Sequence, residues 1–283
     1  MARRARVETP GAVYWVTGRC VGETRLRGSD RDLFLSVLHR AVDRHRWRCH
    51  AYALLDGDYQ LVMETPEPNL SRGMRDLIGE FTQTFNRRNA RSGSVFSGRY
   101  KAVVVERGAP LLEVCRAVVL APVAENQCKK PGRWPWSSYE PTAGREVAPA
   151  FLTTDWLLGQ FGHKVKKARS RYEKFVKSGL GLAPPEIHGA KYVGSDDFGR
   201  QLRSKTTQAV RSPAKRISRP ALKPLFPPEV LRDRSQRDAR ICEARALHGY
   251  TLSAIALATG LHPATVSRIA RAGEGKIKVK SEK

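Results

Sequence analysis

The first 110 residues predict an α+β fold of ferredoxin-like β-α-β-β-α-β order, and three observations carry that expectation. GAVYWVTGRCV is rich in β-branched and aromatic residues, the composition of a strand. The stretch SDRDLFLSVLHRAVDRHRW places Leu33, Phe34, Val37, Leu38, Ala41 and Val42 at helical spacing behind a Ser29/Asp30 cap. CHAYALL and YQLVMET are two strand-like runs separated by Asp56-Gly57, a strong hairpin signal.

The later elements follow in order. NLSRGMRDLIGEFTQTFNRRNA is an amphipathic helix with Leu70, Met74, Leu77, Ile78, Phe81 and Phe85 on one side. GRYKAVVVE supplies the fourth strand. PLLEVCRAVVLAPV supplies a third helix, interrupted at Pro122. This organisation assigns residues 1–145 to the α+β domain and 146–211 to a basic, partly helical extension. Residues 212–233 form a Pro-rich linker, with five prolines between Ser212 and Pro228. Residues 234–272 form a helix-turn-helix domain and 273–283 a basic, disordered tail.

Charge narrows the function. The 283 residues carry 51 Lys and Arg against 27 Asp and Glu, a formal charge of +24. Such a field favours a polyanion, with nucleic acid as the usual one. No apolar run approaches the ~20 residues needed to span a bilayer. MARRARVETPGAVYW lacks the apolar core and cleavage site of a signal peptide. The five cysteines are widely spaced and contain no CxxC pair, which fits a reducing cytoplasm better than a disulfide framework or structural zinc. Between Lys164 and Lys223, sixteen Lys or Arg face four acidic residues. A solvated extension is the plain alternative; the one-sided excess favours a phosphate-facing surface.

At the C-terminal end, TLSAIALATGLHPATVSRIAR has helix-turn-helix spacing. Ala256 is small where two helices must approach, Gly260 suits a left-handed turn, Val266 points into the crossing and Pro263 opens the second helix. Ala264, Thr265, Ser267, Arg268 and Arg271 are then placed for phosphate and base-edge contacts in a major groove. A plain three-helix packing unit is the alternative. ATVSRIAR resembles part of the DNA-reading domain of the bacterial replication initiator.

The first 200 residues resemble the REP-associated tyrosine transposases through GAVYWVTGR, WRCHAYALL, ETPEPNLSRGMRDLIGEFTQTFNRR, FSGRYKAVVVE, LLEVCRAVVLAPV and WPWSSY. RYEKFVKSGLG and GSDDFGRQLR continue the likeness into the extension. The resemblance implies a single-strand DNA enzyme. Two histidines at i and i+2 on one strand face hold a divalent metal, and a helical tyrosine attacks the scissile phosphate. In this chain Asp58 and Gln60 occupy the metal positions, Ala117 the tyrosine position and Ala121 the position of a family asparagine.

The expectation is therefore a DNA-binding protein derived from such an enzyme, with no catalytic residues and no metal or other cofactor. Its N-terminal fold would bind single-stranded or hairpin DNA through Arg72, Arg87, Arg88, Arg99 and Lys101, with Tyr100 stacking on a base. The C-terminal domain would bind duplex DNA through Thr265, Ser267, Arg268 and Arg271. The expected place is the cytoplasm, on the nucleoid, as a regulator with no membrane partner. Two alternatives stay open at this stage. One is an active transposase in which Asp58 and Gln60 hold Mg or Mn. The other is a protein that binds structured RNA.

Overall fold

A computed structural model describes residues 8–189, 191–211, 222–246, 250 and 252–277, with no side chain described at 205–211, 223, 246, 253, 271 or 273–277. The chain divides into two compact units, Met1–Thr206 and Thr207–Lys283.

In the first unit the elements run β1 (Ala12–Arg19), α1 (Gly28–His45), β2 (Arg48–Leu54), β3 (Asp58–Thr65), α2 (Leu70–Arg88), β4 (Lys101–Val105) and α3 (Ala109–Ala124). A 3-10 turn at Pro131–Arg133 follows. Then come α4 (Tyr139–Ala143), α5 (Asp155–Gly159), α6 (Val165–Ser178), β5 (Tyr192–Val193) and α7 (Asp196–Arg211). The sheet order is β2-β3-β1-β4-β5. β1 lies antiparallel between β3 and β4, and β2 lies antiparallel to β3. β5 adds a parallel pairing to β4, as Val104 faces Tyr192 and Val105 faces Val193.

The sheet is buried on both faces, and the two-residue period of its strands divides the core in two. One face carries Tyr14, Val16, Tyr52, Tyr59, Leu61 and Met63 against α1 and α2. There all six apolar positions expected on α1 are buried, as are Leu70, Met74, Leu77, Phe81 and Phe85 of α2. Ile78 is partly buried against the same cluster. The other face carries Val13, Trp15, Ala51, Ala53, Leu55 and Val62 against α3.

Three local expectations are corrected. Asp30 does not cap α1 from outside. The helix begins at Gly28, and the Asp30 carboxylate reaches back to accept the Arg27 amide at 2.9 Å. Pro122 does not interrupt α3. It sits in the last turn, where its missing N–H removes one bond just before the helix ends at Ala124. The 146–211 extension is not simply a solvated surface. Leu157, Leu158, Ala168, Tyr172 and Val176 are buried in the second core, and β5 widens the sheet. Its lysines are exposed because α6 is amphipathic, with one side packed and the other in water.

The second unit contains α8 (Leu222–Leu225), α9 (Pro228–Arg232), α10 (Arg234–Ala246), α11 (Leu252–Thr259) and α12 (Pro263–Ile277). Phe226, Ile241, Ala244, Ile255, Ala256 and Val266 form its core. Gly260 turns the chain between α11 and α12 at a φ of +66°, a conformation that costs a residue with a Cβ. Of the expected linker, 212–221 lies outside the described residues. The part from Leu222 onward is helical and packs into this core through Phe226, Leu222 and Leu225. Of the expected tail, 278–283 lies outside the described residues, and 273–277 continue α12.

Gly18 on β1 is required by its neighbour. A Cβ there would overlap the Tyr59 ring, which is held between Phe34 and Phe96 at centroid distances of 5.0 and 5.1 Å. Gly18→Ala should therefore destabilise the first unit by about 1–3 kcal/mol, the usual cost of overpacking a filled core. Urea denaturation of the full chain would check this, and an unchanged midpoint would mean that the Tyr59 cage yields.

Candidate nucleic-acid interface

Alternation along β3 sends Tyr59 toward α1 and α2, and Asp58 and Gln60 toward the opposite face. There Gln60 Oε1 accepts a hydrogen bond from Trp15 Nε1 at 3.3 Å. The same face meets α3, and Gln60, Ala117, Ala121, Glu125 and Trp15 line one cavity of about 310 Å³. The structure therefore brings Gln60 together with Ala117 and Ala121, the nearer of which lies 57 residues further along the sequence. Asp58 joins them through Glu125, the residue that caps α3. Its carboxyl is pushed up to about 6, by burial first and then by the neighbouring Glu125, while Arg19 opposes the shift. Burial also raises Glu125, and the hydrogen bond from Asp58 partly offsets that. Below about pH 6 Asp58 holds its proton and shares a hydrogen bond with Glu125. Asp58 Oδ1 is buried with no hydrogen-bond partner.

This arrangement does not fit the paired-imidazole metal site that the resemblance implies. The donors are one half-buried carboxyl and an amide oxygen already engaged by Trp15. Among the described residues, no group of three His, Cys, Asp or Glu is placed to hold a metal ion. The cavity lining also contains no hydroxyl, thiol, imidazole or amine: its polar side chains are Trp15, Gln60, Glu113, Arg116 and Glu125. Ala117 and Ala121 offer it only methyl groups.

His50, a packed histidine by sequence, is buried and bonds Glu64 through Nε2 at 3.0 Å. Burial holds its pKa down despite that partner. Glu64 also takes Arg48 at 3.0 Å and Arg107 at 2.9 Å, so those two cations are locally neutralised.

Other cations are not neutralised in this way. Arg72, Arg87, Arg88, Arg99 and Lys101 are exposed, and no ion pair holds them among the described residues. The Tyr100 hydroxyl lies 3.4 Å from Ser71 Oγ, which ties the start of β4 to the first turn of α2. That contact brings the segments bearing Arg99 and Lys101 to the turn bearing Arg72. Arg87 and Arg88 lie at the far end of α2, roughly 22–24 Å along its axis at ~1.5 Å per residue. The five cations span one helix length and do not form a single cluster. Tyr100 is partly buried, with its hydroxyl engaged.

In the second unit Arg268 is exposed on α12, and Thr265 and Ser267 are partly exposed beside it. The side chain of Arg271 lies outside the described ones. Val266 and Ala270 on the same helix are buried, so the helix has a packed side and an open side.

Sequence reasoning missed Glu125, Trp15 and Arg116 as members of the cavity. Glu125 lies one turn beyond Ala121, and Trp15 sits two residues from the Thr17 that pairs with Gln60 in the strand register. Both offsets were available from the expected helix and strand.

No model of a known protein family matches the chain. No curated protein matches it in sequence. Among solved structures, one described as a REP-associated tyrosine transposase bound to a REP hairpin has 14% identity and a TM-score of 0.47, and the likeness covers 54% of this chain and 92% of that one. A likeness of that size carries no argument about this chain.

The Asp58 carboxyl gives a pH prediction. Its pKa rises from an ordinary 3.8 to about 6 on folding, so the folded chain holds this proton more tightly than the unfolded one. The resulting stability is fully present below the unfolded pKa and is lost as pH rises through about 6. Asp58→Asn stays neutral at every pH. It should match the parent near pH 4 and melt at a higher temperature at pH 8. Thermal unfolding across that range would check it; equal melting temperatures at pH 8 would mean that Asp58 is well solvated.

Proposed function

We propose that the chain is a DNA-binding protein of REP-associated tyrosine transposase descent that no longer cuts DNA. The observation that carries this reading is the set of exposed, unneutralised cations Arg72, Arg87, Arg88, Arg99 and Lys101 on the first unit, in a chain of charge +24. Phosphate contacts by such side chains supply affinity without sequence information. The strand order and the βαββαβ connectivity support a ferredoxin-like class for this unit. Its ligand would be single-stranded or hairpin DNA.

The non-cutting part of the reading is supported by the cavity. Where the resemblance puts a nucleophile, an asparagine and metal ligands, this chain has Ala117, Ala121, Gln60 and Asp58. In-line attack on a phosphate needs a nucleophile and a group that stabilises developing charge. The cavity lining offers no hydroxyl, thiol, imidazole or amine to make that attack.

The second unit would add duplex DNA binding. Gly260 in a left-handed turn, Ala256 at a helix contact and Val266 in the core support a helix-turn-helix in which α12 enters the major groove. Thr265, Ser267, Arg268 and Arg271 would face the bases and phosphates. Two binding modules on one chain raise each other's effective concentration at a shared target, which suits a regulator. The helical fold holds no segment long and apolar enough to cross a membrane among the described residues.

The test is division of labour in the full chain. Arg268→Ala should weaken duplex binding by ~1–3 kcal/mol and leave hairpin binding intact. Arg99→Ala with Lys101→Ala should weaken hairpin binding and leave duplex binding intact. Fluorescence anisotropy with each DNA form would measure both. Equal loss of both activities in both variants would reject two modules, and tighter binding of an RNA hairpin than of the DNA hairpin would reject DNA as the ligand. Salt offers a separate check. Each phosphate contact should cost ~0.7–0.9 log units of affinity per tenfold rise in salt, and a flat response would reject the phosphate-facing surface.

A further inference from the structure

The cavity against α3 and the basic helix α6 lie on the sheet face opposite α1 and α2, and the expected DNA contacts do not include them. Helix α6 exposes Lys166, Lys167, Lys174 and Lys177, and Lys164 precedes it. None of these lysines has an ion-pair partner among the described residues. The only acid on the helix, Glu173, is paired with Arg145 at 2.6 Å. One ridge of α6 is thus uniformly cationic.

The ridge leads to the cavity. Gly179, the C-cap of α6, forms part of the cavity wall. The Arg116 side chain lies against Gly179 so closely that a Cβ there would overlap it. Its guanidinium sits 4.6 Å from the Phe175 ring centroid and pairs with Glu113. Inside, the lysines give way to a lining in which Arg116 offsets Glu113, and Glu125 lies beside the Trp15 indole and the Gln60 amide. With Gln60 Oε1 engaged by Trp15, its amide N–H groups remain as donors, and Glu125 remains as an acceptor.

We propose that this cavity takes one unpaired nucleobase from a single strand whose phosphates run along α6. The inference rests on the reading that the first unit binds single-stranded nucleic acid, and it names a site and a chemistry for it. A volume of about 310 Å³ is in the range of small-ligand sites. The contrast between ridge and cavity sorts the two parts of a nucleotide. Lysines outside attract the backbone, and inside, where Arg116 offsets Glu113, the Glu125 carboxyl accepts from a base N–H. A neighbouring donor and acceptor suit the mixed hydrogen-bonding edge of a base, and an indole wall suits its flat face. A wholly aliphatic ligand would leave Gln60 and Glu125 desolvated without partners. The space exists because Ala117 and Ala121 are small.

The experiment uses the full chain at pH 7.5 and fluorescence anisotropy with two strands of equal charge. One is a twelve-nucleotide oligo-dC, the other a twelve-unit abasic phosphodiester. The parent should bind oligo-dC about tenfold more tightly, since one stacked base contributes on that order. Ala117→Phe fills the cavity and should reduce oligo-dC binding to the abasic level without changing abasic binding. Lys174→Gln with Lys177→Gln should weaken both strands alike. Equal affinity of the parent for the two strands overturns the proposal, as does a tenfold gap that survives in Ala117→Phe. If that variant does not fold by circular dichroism, Ala121→Val fills the same space and the same criterion applies. Failure of the parent to bind either strand would instead overturn single-strand binding by the first unit.

Discussion

Strand β3 lies inside the sheet between β2 and β1 with side chains packed on both faces, and its two-residue period is the constraint on which the rest depends. A slip of one residue would exchange the faces. Tyr59 would then enter the α3 side, and Asp58 and Gln60 would enter a core of phenylalanines. The Tyr59 cage of Phe34 and Phe96, with Gly18 alongside, pins the register from one side. The Trp15–Gln60 hydrogen bond pins it from the other. With the register fixed, α3 has only one way to meet the sheet, and Ala117, Ala121 and Glu125 arrive at a common cavity.

Electrostatics then divides the molecule. The sheet's flanking cores are apolar, and the charges that do enter them have partners: Glu64 has His50, Arg48 and Arg107, and Asp58 has Glu125, to which it is hydrogen-bonded when protonated. A buried carboxylate without compensation is costly, so Asp58 holds its proton up to about pH 6. Among the described residues, Arg72, Arg87 and Arg88 of α2, the lysines of α6 and Arg268 of the second unit stand exposed without an ion pair. Such a surface holds a polyanion by many weak contacts, which demands no reactive group in the cavity.

The sequence made the first four strands and first three helices legible because each has strong local signals. Asp56-Gly57 marks the hairpin, and the helical spacing of Leu33 through Val42 and of Leu70 through Phe85 marks two buried stripes. Gly260, Ala256 and Val266 were readable for the same reason, since a left-handed turn and a close helix contact restrict residue type. The second cover of the sheet was not legible. Tyr172 and Val176 are sparse apolar residues among lysines, and only their long-range packing identifies them as core. β5 is two residues long and has no pattern to read. At the site, only a family resemblance singles out Asp58, Gln60, Ala117 and Ala121, whereas Glu125 and Trp15 depend on which faces meet. The start of α1 was misplaced because an acid at the third helical position satisfies the same amides as a true cap.

Binding without strand cleavage is the central claim. Its most direct measurement incubates the full chain with a hairpin-flanked single-stranded DNA, labelled at both ends, in Mg²⁺ and then in Mn²⁺. The sample is divided between a native gel and a denaturing SDS gel. The account predicts a retarded complex on the native gel, full-length DNA on the denaturing gel and no label on the protein band. Labelled protein that survives SDS, or a shortened strand that depends on the cation, would contradict it and would locate a nucleophile outside the Ala117 cavity.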